Sequence, residues 1–266
     1  DKFMIPQKEA ISQTAFYAVA VFIATVVEIP GRAMFQIINP LVAKSLNQNN
    51  IGELKNLYTK SSINLLIVAG LFFLLININI EPFYEFMANP SYGDAIWVVL
   101  MISLSKLILM SFGCGPAILA TAKFYKITLP FSIFMAITVY FLNDILIDIY
   151  SINGAALSTL IVVAFFTLFK ILYIKFKLNM MPYSIQSLKV LGIILLIFFL
   201  FADKDGDGRL AYFLFDYFDL ELSNIFEIAL NSILVLVLYL FLIYKTKSSS
   251  DINIFISNLI RGKLRF

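Results

Sequence analysis

Residues 63–80 read INLLIVAGLFFLLININI, eighteen consecutive positions without a charged side chain. A helix rises about 1.5 Å per residue, so this stretch is long enough to cross a hydrocarbon core about 30 Å thick. It does not alternate along its length, which favours a helix over a barrel strand. The rest of the chain agrees with it. Of the 266 residues 61% are hydrophobic and 14% charged, with a mean hydropathy of +0.89. Roughly a quarter of a soluble domain is charged, so this composition cannot cover a water-facing surface. It calls for a lipid solvent, in which only helices and closed barrels satisfy their backbone groups.

Working outward from Ile63–Ile80, hydropathy gives about seven spans. The first, A, runs near Ala15–Leu41, B near Ile63–Ile80 and C near Ala95–Leu119. D follows near Ile127–Ile149, E near Gly154–Ile174, the short F near Val190–Ala202, and G near Asn224–Tyr244. The expected fold class is all-α, a polytopic membrane protein, with a polar segment at 1–13 and one transmembrane unit at 14–266.

The loops support this count. Loops 43–62, 120–126 and 170–189 and the tail 245–266 hold fourteen basic residues and two acidic ones, Glu53 and Asp251. Loops 81–94, 144–153 and 203–223 hold two basic residues, Lys204 and Arg209, and eleven acidic ones. The positive-inside rule puts the first set in the cytoplasm, with the segment before A outside and the C-terminus inside. Loop 43–62 reads either as an amphipathic helix on the cytoplasmic surface or as a solvated loop helix.

Ionisable groups within a span cost roughly 2.5–3.5 kcal/mol on insertion scales and need a reason. Span A holds Glu28 and Arg32, spaced to pair on one face. Thr25, Glu28, Arg32, Gln36 and Asn39 fall within an arc of roughly 80°, a polar stripe suited to the wall of a hydrated cavity. Pro30 lies between the charges and interrupts the helix there. Two readings stand. Arg32 holds an anion and Glu28 a proton or cation, or the pair neutralises itself and fixes packing. Span C holds Lys106 near its middle, on a face shared with Ser103, Met110 and Gly113. It is a second candidate for a phosphate, or a lysine that snorkels. Gly113-Cys114-Gly115-Pro116 either bends this helix or allows close packing. Asn143, Asp144, Asp148 and Glu227 read as interface residues at the outer end, and Gly154-Ala155-Ala156 as a small-residue packing surface. Cys114 is the single cysteine and there is no histidine, which removes the commonest general base and metal ligand.

The loop Asp203-Lys204-Asp205-Gly206-Asp207-Gly208-Arg209-Leu210 carries the first half of a calcium-loop pattern, with Asp203, Asp205 and Asp207 at alternate positions. Leu214 then stands where the bidentate Glu belongs, so the loop reads as a polar turn before it reads as a metal site.

Several stretches resemble the polysaccharide (Wzx-type) flippases of the multidrug/oligosaccharidyl-lipid/polysaccharide exporter superfamily. Asp1-Lys2-Phe3-Met4-Ile5 resembles the end of that family's seventh helix, and Phe16-Tyr17-Ala18-Val19-Ala20 the start of its eighth. Pro40-Leu41-Val42-Ala43, Leu54 and Tyr58-Thr59-Lys60-Ser61 resemble the end of the eighth helix and the loop after it. The most specific match is Asn143, Leu146-Ile147, Tyr150 and Ile152-Asn153-Gly154-Ala155-Ala156-Leu157-Ser158-Thr159, which resembles the passage from the eleventh to the twelfth helix.

The resemblance implies one lobe, helices eight to fourteen, of a MATE-like fourteen-helix transporter in the bacterial inner membrane. Segment 1–13 would end a missing helix, and the N-terminal lobe would be a partner. The implied cargo is an oligosaccharide on a polyprenyl diphosphate, moved to the outer leaflet by alternating access for surface polysaccharide synthesis. Arg32, Lys106, Gln36, Asn39 and Thr25 would line the substrate cavity, and Glu28 would couple transport to a proton or sodium gradient. No cofactor, resident metal or nucleic acid is implied.

Three other classes compete. A multidrug/cation antiporter of the same fold would want an acidic cavity, whereas Arg32 and Lys106 outnumber Glu28 at mid-depth. A membrane enzyme of lipid-linked sugar polymerisation would want an outer loop rich in acid–base groups. A retinal protein would want a mid-span Lys in G, which is absent. A structural membrane subunit remains a fourth reading.

Overall fold

Helix-forming residues run on through most of the loops that hydropathy sets between the spans, and the helices lengthen accordingly. The computed structural model describes residues 4–87, 90–121, 124–201 and 224–260, which form helices and turns with no strand among them. The chain begins with α1 (Ile5–Lys8) and α2 (Ile11–Thr25), a 3-10 turn at Val26–Glu28, and α3 (Ile29–Asn47). Next come α4 (Ile51–Phe86), a 3-10 turn at Pro90–Ala95, α5 (Ile96–Ser111) and α6 (Gly115–Ala120). Among the described residues there follow α7 (Tyr125–Leu178), α8 (Ile185–Phe201), α9 (Asn224–Thr246) and α10 (Ser250–Ile260). By length and composition four helical stretches can cross a membrane: Ile11–Asn47, Ile51–Phe86, Thr128–Leu178 and Asn224–Thr246. α5 and α8 are shorter apolar helices. The described residues are thus helical throughout apart from turns, and several of their helices are long and apolar enough for a membrane.

Segment 43–62 is helical on both sides of a short turn at 48–50, and its second helix runs on into span B without a break. Asn50 caps α4, its side chain accepting from the Glu53 N–H, and nothing after it stops the helix. Leu54 and Tyr58 are fully buried with Val42, Phe112 and Ile118, while Glu53, Lys55, Asn56 and Lys60 are exposed, so this first part of α4 is amphipathic. α4 is the central helix and packs against α3, α5, α8 and α9. Gly70 lets α8 and α9 come close: an added Cβ would sit 2.4 Å from Ile194 Cδ1 and 3.0 Å from the Tyr239 hydroxyl. That hydroxyl donates to the Ile67 carbonyl at 2.8 Å.

Span C is broken, as its glycines suggest. Gly113 has φ +60°, a left-handed conformation that glycine adopts without steric cost. The break frees backbone groups that lipid cannot satisfy, and α4 supplies their partners. Ser62 Oγ donates to the Ser111 carbonyl at 2.6 Å, and the Cys114 N–H donates to Ser61 Oγ at 2.9 Å.

α7 holds spans D and E and doubles back at Ser151 (φ 53°, ψ −135°). Phe131 and Phe134 both pack on Phe166, and the Ser158 hydroxyl bonds to the Asn143 side chain. The halves 125–150 and 152–178 therefore lie antiparallel. Their turn is so tight that a Cβ on Gly154 would overlap the Leu146 carbonyl, at 1.9 Å.

Ion pairs fix the two ends of the bundle. Lys8 reaches Asp144 at 2.7 Å and Asp148 at 2.9 Å, which ties the N-terminal segment to the α7 turn. These hydrogen-bonded carboxylates raise the Lys8 pKa. At the opposite end Asp251 accepts from Asn64 at 3.1 Å and pairs with Lys60 at 3.6 Å, which docks α10 on α4. The acidic turn and the basic tail thus keep the company that the loop charges assign them.

Two outcomes follow from these contacts. Gly113→Ala places a Cβ 2.6 Å from the Ser62 backbone nitrogen and forces Ala into a left-handed φ that alone costs about 1–3 kcal/mol. Thermal unfolding in detergent will show a lower midpoint. Gly192→Ala meets open space and will leave the midpoint unchanged or raise it. The second outcome concerns pH. The Asn64 hydrogen bond and the Lys60 charge hold the Asp251 carboxyl below the usual carboxylate range. A depressed carboxylate stabilises the fold above its unfolded pKa and loses that contribution as pH falls through the folded one. The protection factors of α10 amides, corrected for the intrinsic pH dependence of exchange, will therefore fall in acid, and Asp251→Asn will remove most of this fall.

Candidate functional site

Pro30 decides where the charged part of span A sits. It has no N–H to return to the preceding turn, and the chain tightens to a 3-10 turn at Val26–Glu28 before α3 begins. Glu28 closes that turn. One turn on, Gly31 lets α3 lie directly against α5, where its Cβ would sit 2.4 Å from Met110 Sδ. α3 and α5 run in the same direction here, as the first and third of successive antiparallel spans must. The residue one turn before Met110 is Lys106, so it meets the residue one turn before Gly31.

The result is a three-charge cluster. Glu28 Oε1 accepts from Arg32 Nη2 at 2.9 Å, and Glu28 Oε2 faces Lys106 Nζ at 3.0 Å. Glu28 and Lys106 are mostly covered, with side chains 21% and 23% exposed, while Arg32 is 69% exposed. One carboxylate thus anchors two cations, leaving a surplus positive charge carried outward by Arg32. The pairing expected within span A is present, but it is one arm of a larger cluster. Lys106 neither snorkels nor stands alone.

The rest of the stripe is arranged differently. Thr25 donates its hydroxyl to the Phe22 carbonyl at 2.6 Å, a bond spent within its own helix. Gln36 and Asn39 are exposed and lie further along the helix from Arg32. The buried Ala24, Val27, Gly31 and Ile38 define the inner face of this helix, and the exposed Phe22, Ile29 and Ile37 its apolar outer face. The polar stripe runs between them. It therefore lies on the flank of this chain's bundle, and a cavity lined by it requires a second surface opposite.

Sequence reasoning missed the α4 side of this region. Asn77 Nδ2 donates to Ser103 Oγ at 2.9 Å, one turn before Lys106 on α5. Asn77 and Asn79, near the end of INLLIVAGLFFLLININI, were the available signal, since a polar side chain within a span asks for a partner. Beyond them, Asn79 Nδ2 approaches Ser232 Oγ at 3.2 Å on α9. Asp203, Asp205 and Asp207 lie outside the described residues. Among the described residues no group of three or more His, Cys, Asp or Glu side chains could hold a metal. Comparison with protein-family models, with curated proteins and with solved structures finds no match.

If Glu28 holds the two helices through Lys106, the two side chains will be energetically coupled. A double-mutant cycle with Glu28→Gln and Lys106→Met, read by unfolding in detergent, will give a coupling of about 1–2 kcal/mol. A coupling near zero would mean that the contact contributes nothing to the fold.

Proposed function

We propose that the chain is the C-terminal lobe of a flippase for an oligosaccharide carried on a polyprenyl diphosphate. It would be a multi-pass protein of the bacterial inner membrane, with its N-terminal segment outside and its C-terminus in the cytoplasm. The seven spans expected from hydropathy would form helices eight to fourteen of a MATE-like transporter. The observation that carries this reading is the surplus positive charge of the Glu28–Arg32–Lys106 cluster on a flank bordered by apolar surface.

The chemistry of that cluster suits a diphosphate. Only one guanidinium nitrogen of Arg32 is committed to Glu28. The remaining fork can bind two phosphate oxygens side by side. Lys106 adds a point charge behind it. Glu28 is the coupling candidate, because a proton or sodium ion on its carboxylate would release both cations together. The stripe of Arg32, Gln36, Asn39 and Thr25 would face the other lobe across a hydrated cleft, and rocking of the two lobes would expose it to each side in turn. The 3-10 turn beside Pro30 and the break at Gly113 resemble the interrupted helices that line transporter sites. A multidrug/cation antiporter would need surplus acid where this cluster has surplus base.

In the full-length transporter, Arg32→Ala and Lys106→Ala will each lower export of the sugar polymer roughly tenfold or more, the effect of losing about 1.4 kcal/mol of headgroup binding. Protein levels in the membrane will not change. Arg32→Lys, which keeps the charge and loses the fork, will retain intermediate export. Undiminished export in both alanine variants would remove the cluster from the transport path.

A further inference from the structure

At the end of the bundle where α7 turns back, a cavity of about 440 Å³ is lined by Gln13, Gly93, Trp97, Ser151, Ile152 and Asn153. Three separate parts of the chain build it: the start of α2, the 3-10 turn leading into α5, and the hairpin turn of α7. Its volume lies in the range of small-molecule sites.

The lining specifies what fits. None of the six described lining residues is charged, so the groups they present are neutral dipoles. Gln13 and Asn153 each offer an amide, and Ser151 a hydroxyl, all able to donate and accept. Asn153 is half-buried at the cavity wall, its Oδ1 turned away from solvent without a hydrogen-bond partner. Trp97, 47% exposed, supplies a flat apolar ring at the same place, and Gly93 adds no bulk. Amides beside an indole match a sugar ring, whose hydroxyls both donate and accept and whose C–H face is apolar enough to lie on an aromatic surface.

We propose that this cavity is a binding subsite for a neutral sugar unit, with Trp97 as the platform and Gln13 and Asn153 reading the hydroxyls. It is separate from the charged cluster. Trp97 precedes Lys106 on α5 by about 14 Å of helix rise and lies on the opposite face. The site stands on its own lining, and only the source of the sugar, a glycan carried across the membrane, rests on the flippase reading.

Trp97 is the single tryptophan in the chain, so its fluorescence reports on this cavity alone. Glucose, galactose and N-acetylglucosamine are titrated into the purified full chain in detergent, with glucuronate as the charged comparison. At least one neutral sugar is expected to give a saturable change with roughly millimolar half-saturation. Gln13→Ala and Asn153→Ala, checked for native helicity by circular dichroism, are expected to weaken it roughly fivefold each, as for one lost hydrogen bond. Three results would each overturn the proposal: no saturable change for any neutral sugar while acrylamide still quenches Trp97, equal binding of glucuronate, or undiminished binding in both folded variants. The wild-type titration decides the matter even if a variant fails to fold. Polymer export in the Arg32 and Lys106 variants tests the flippase reading independently, so the two can fail separately.

Discussion

An ionised side chain within an apolar span is stable only when its charge is answered nearby, and the Glu28 carboxylate answers two. Its oxygens divide between Arg32 on the same helix and Lys106 on α5. Much of the local architecture follows from this. α3 must approach α5 closely, which Gly31 permits against Met110. The helix must also be interrupted just before the contact, which Pro30 ensures. Two cations on one anion leave one positive charge over, and the geometry places it on the exposed member, Arg32.

The same reasoning, applied to the backbone, explains the breaks. In lipid, every N–H and C=O freed by a helix break needs a partner within the protein. At Gly113 the partners are Ser61 and Ser62 of α4. They fix both the break and the register of α5 against the central helix. At Ser151 the chain reverses almost without a loop, and the hydrogen bond between Ser158 and Asn143 joins the two halves of the hairpin. α5 and α8 are short for a bilayer. α6 continues the path of span C beyond the break, and α8 starts before span F, with Ser184 and Ser187 exchanging hydrogen bonds at its N-terminus.

Much of the helical plan was legible because lipid demands long uncharged stretches, and few other environments produce INLLIVAGLFFLLININI. The interruption at Pro30 was legible too, since proline acts on its own backbone, whereas at Gly113 a bend was one of two readings that the small residues left open. Contacts between distant helices were not legible. Spacing pairs Glu28 with Arg32 within one helix, but nothing in the sequence says that Lys106 arrives at the other carboxylate oxygen. The serines that cap Gly113 stand among lysines and leucines and look like loop residues. Segment 43–62 was half legible. Its lysines are exposed as expected, but nothing in the sequence says that Leu54 and Tyr58, one turn apart, join a core cluster with α3 and with Phe112 and Ile118. The position of the polar stripe depends on which neighbours the helix has, and one-dimensional periodicity gives only its width.

The central claim is that the surplus positive charge on this flank grips a diphosphate. The most direct measurement is equilibrium binding of polyprenyl diphosphate to the full-length protein in nanodiscs, with the uncharged polyprenol of equal chain length as the comparison. The account predicts that the diphosphate binds more tightly, that its advantage falls as salt rises, and that most of it disappears in Arg32→Ala. Equal affinity for the diphosphate and the alcohol, with no salt dependence, would contradict it.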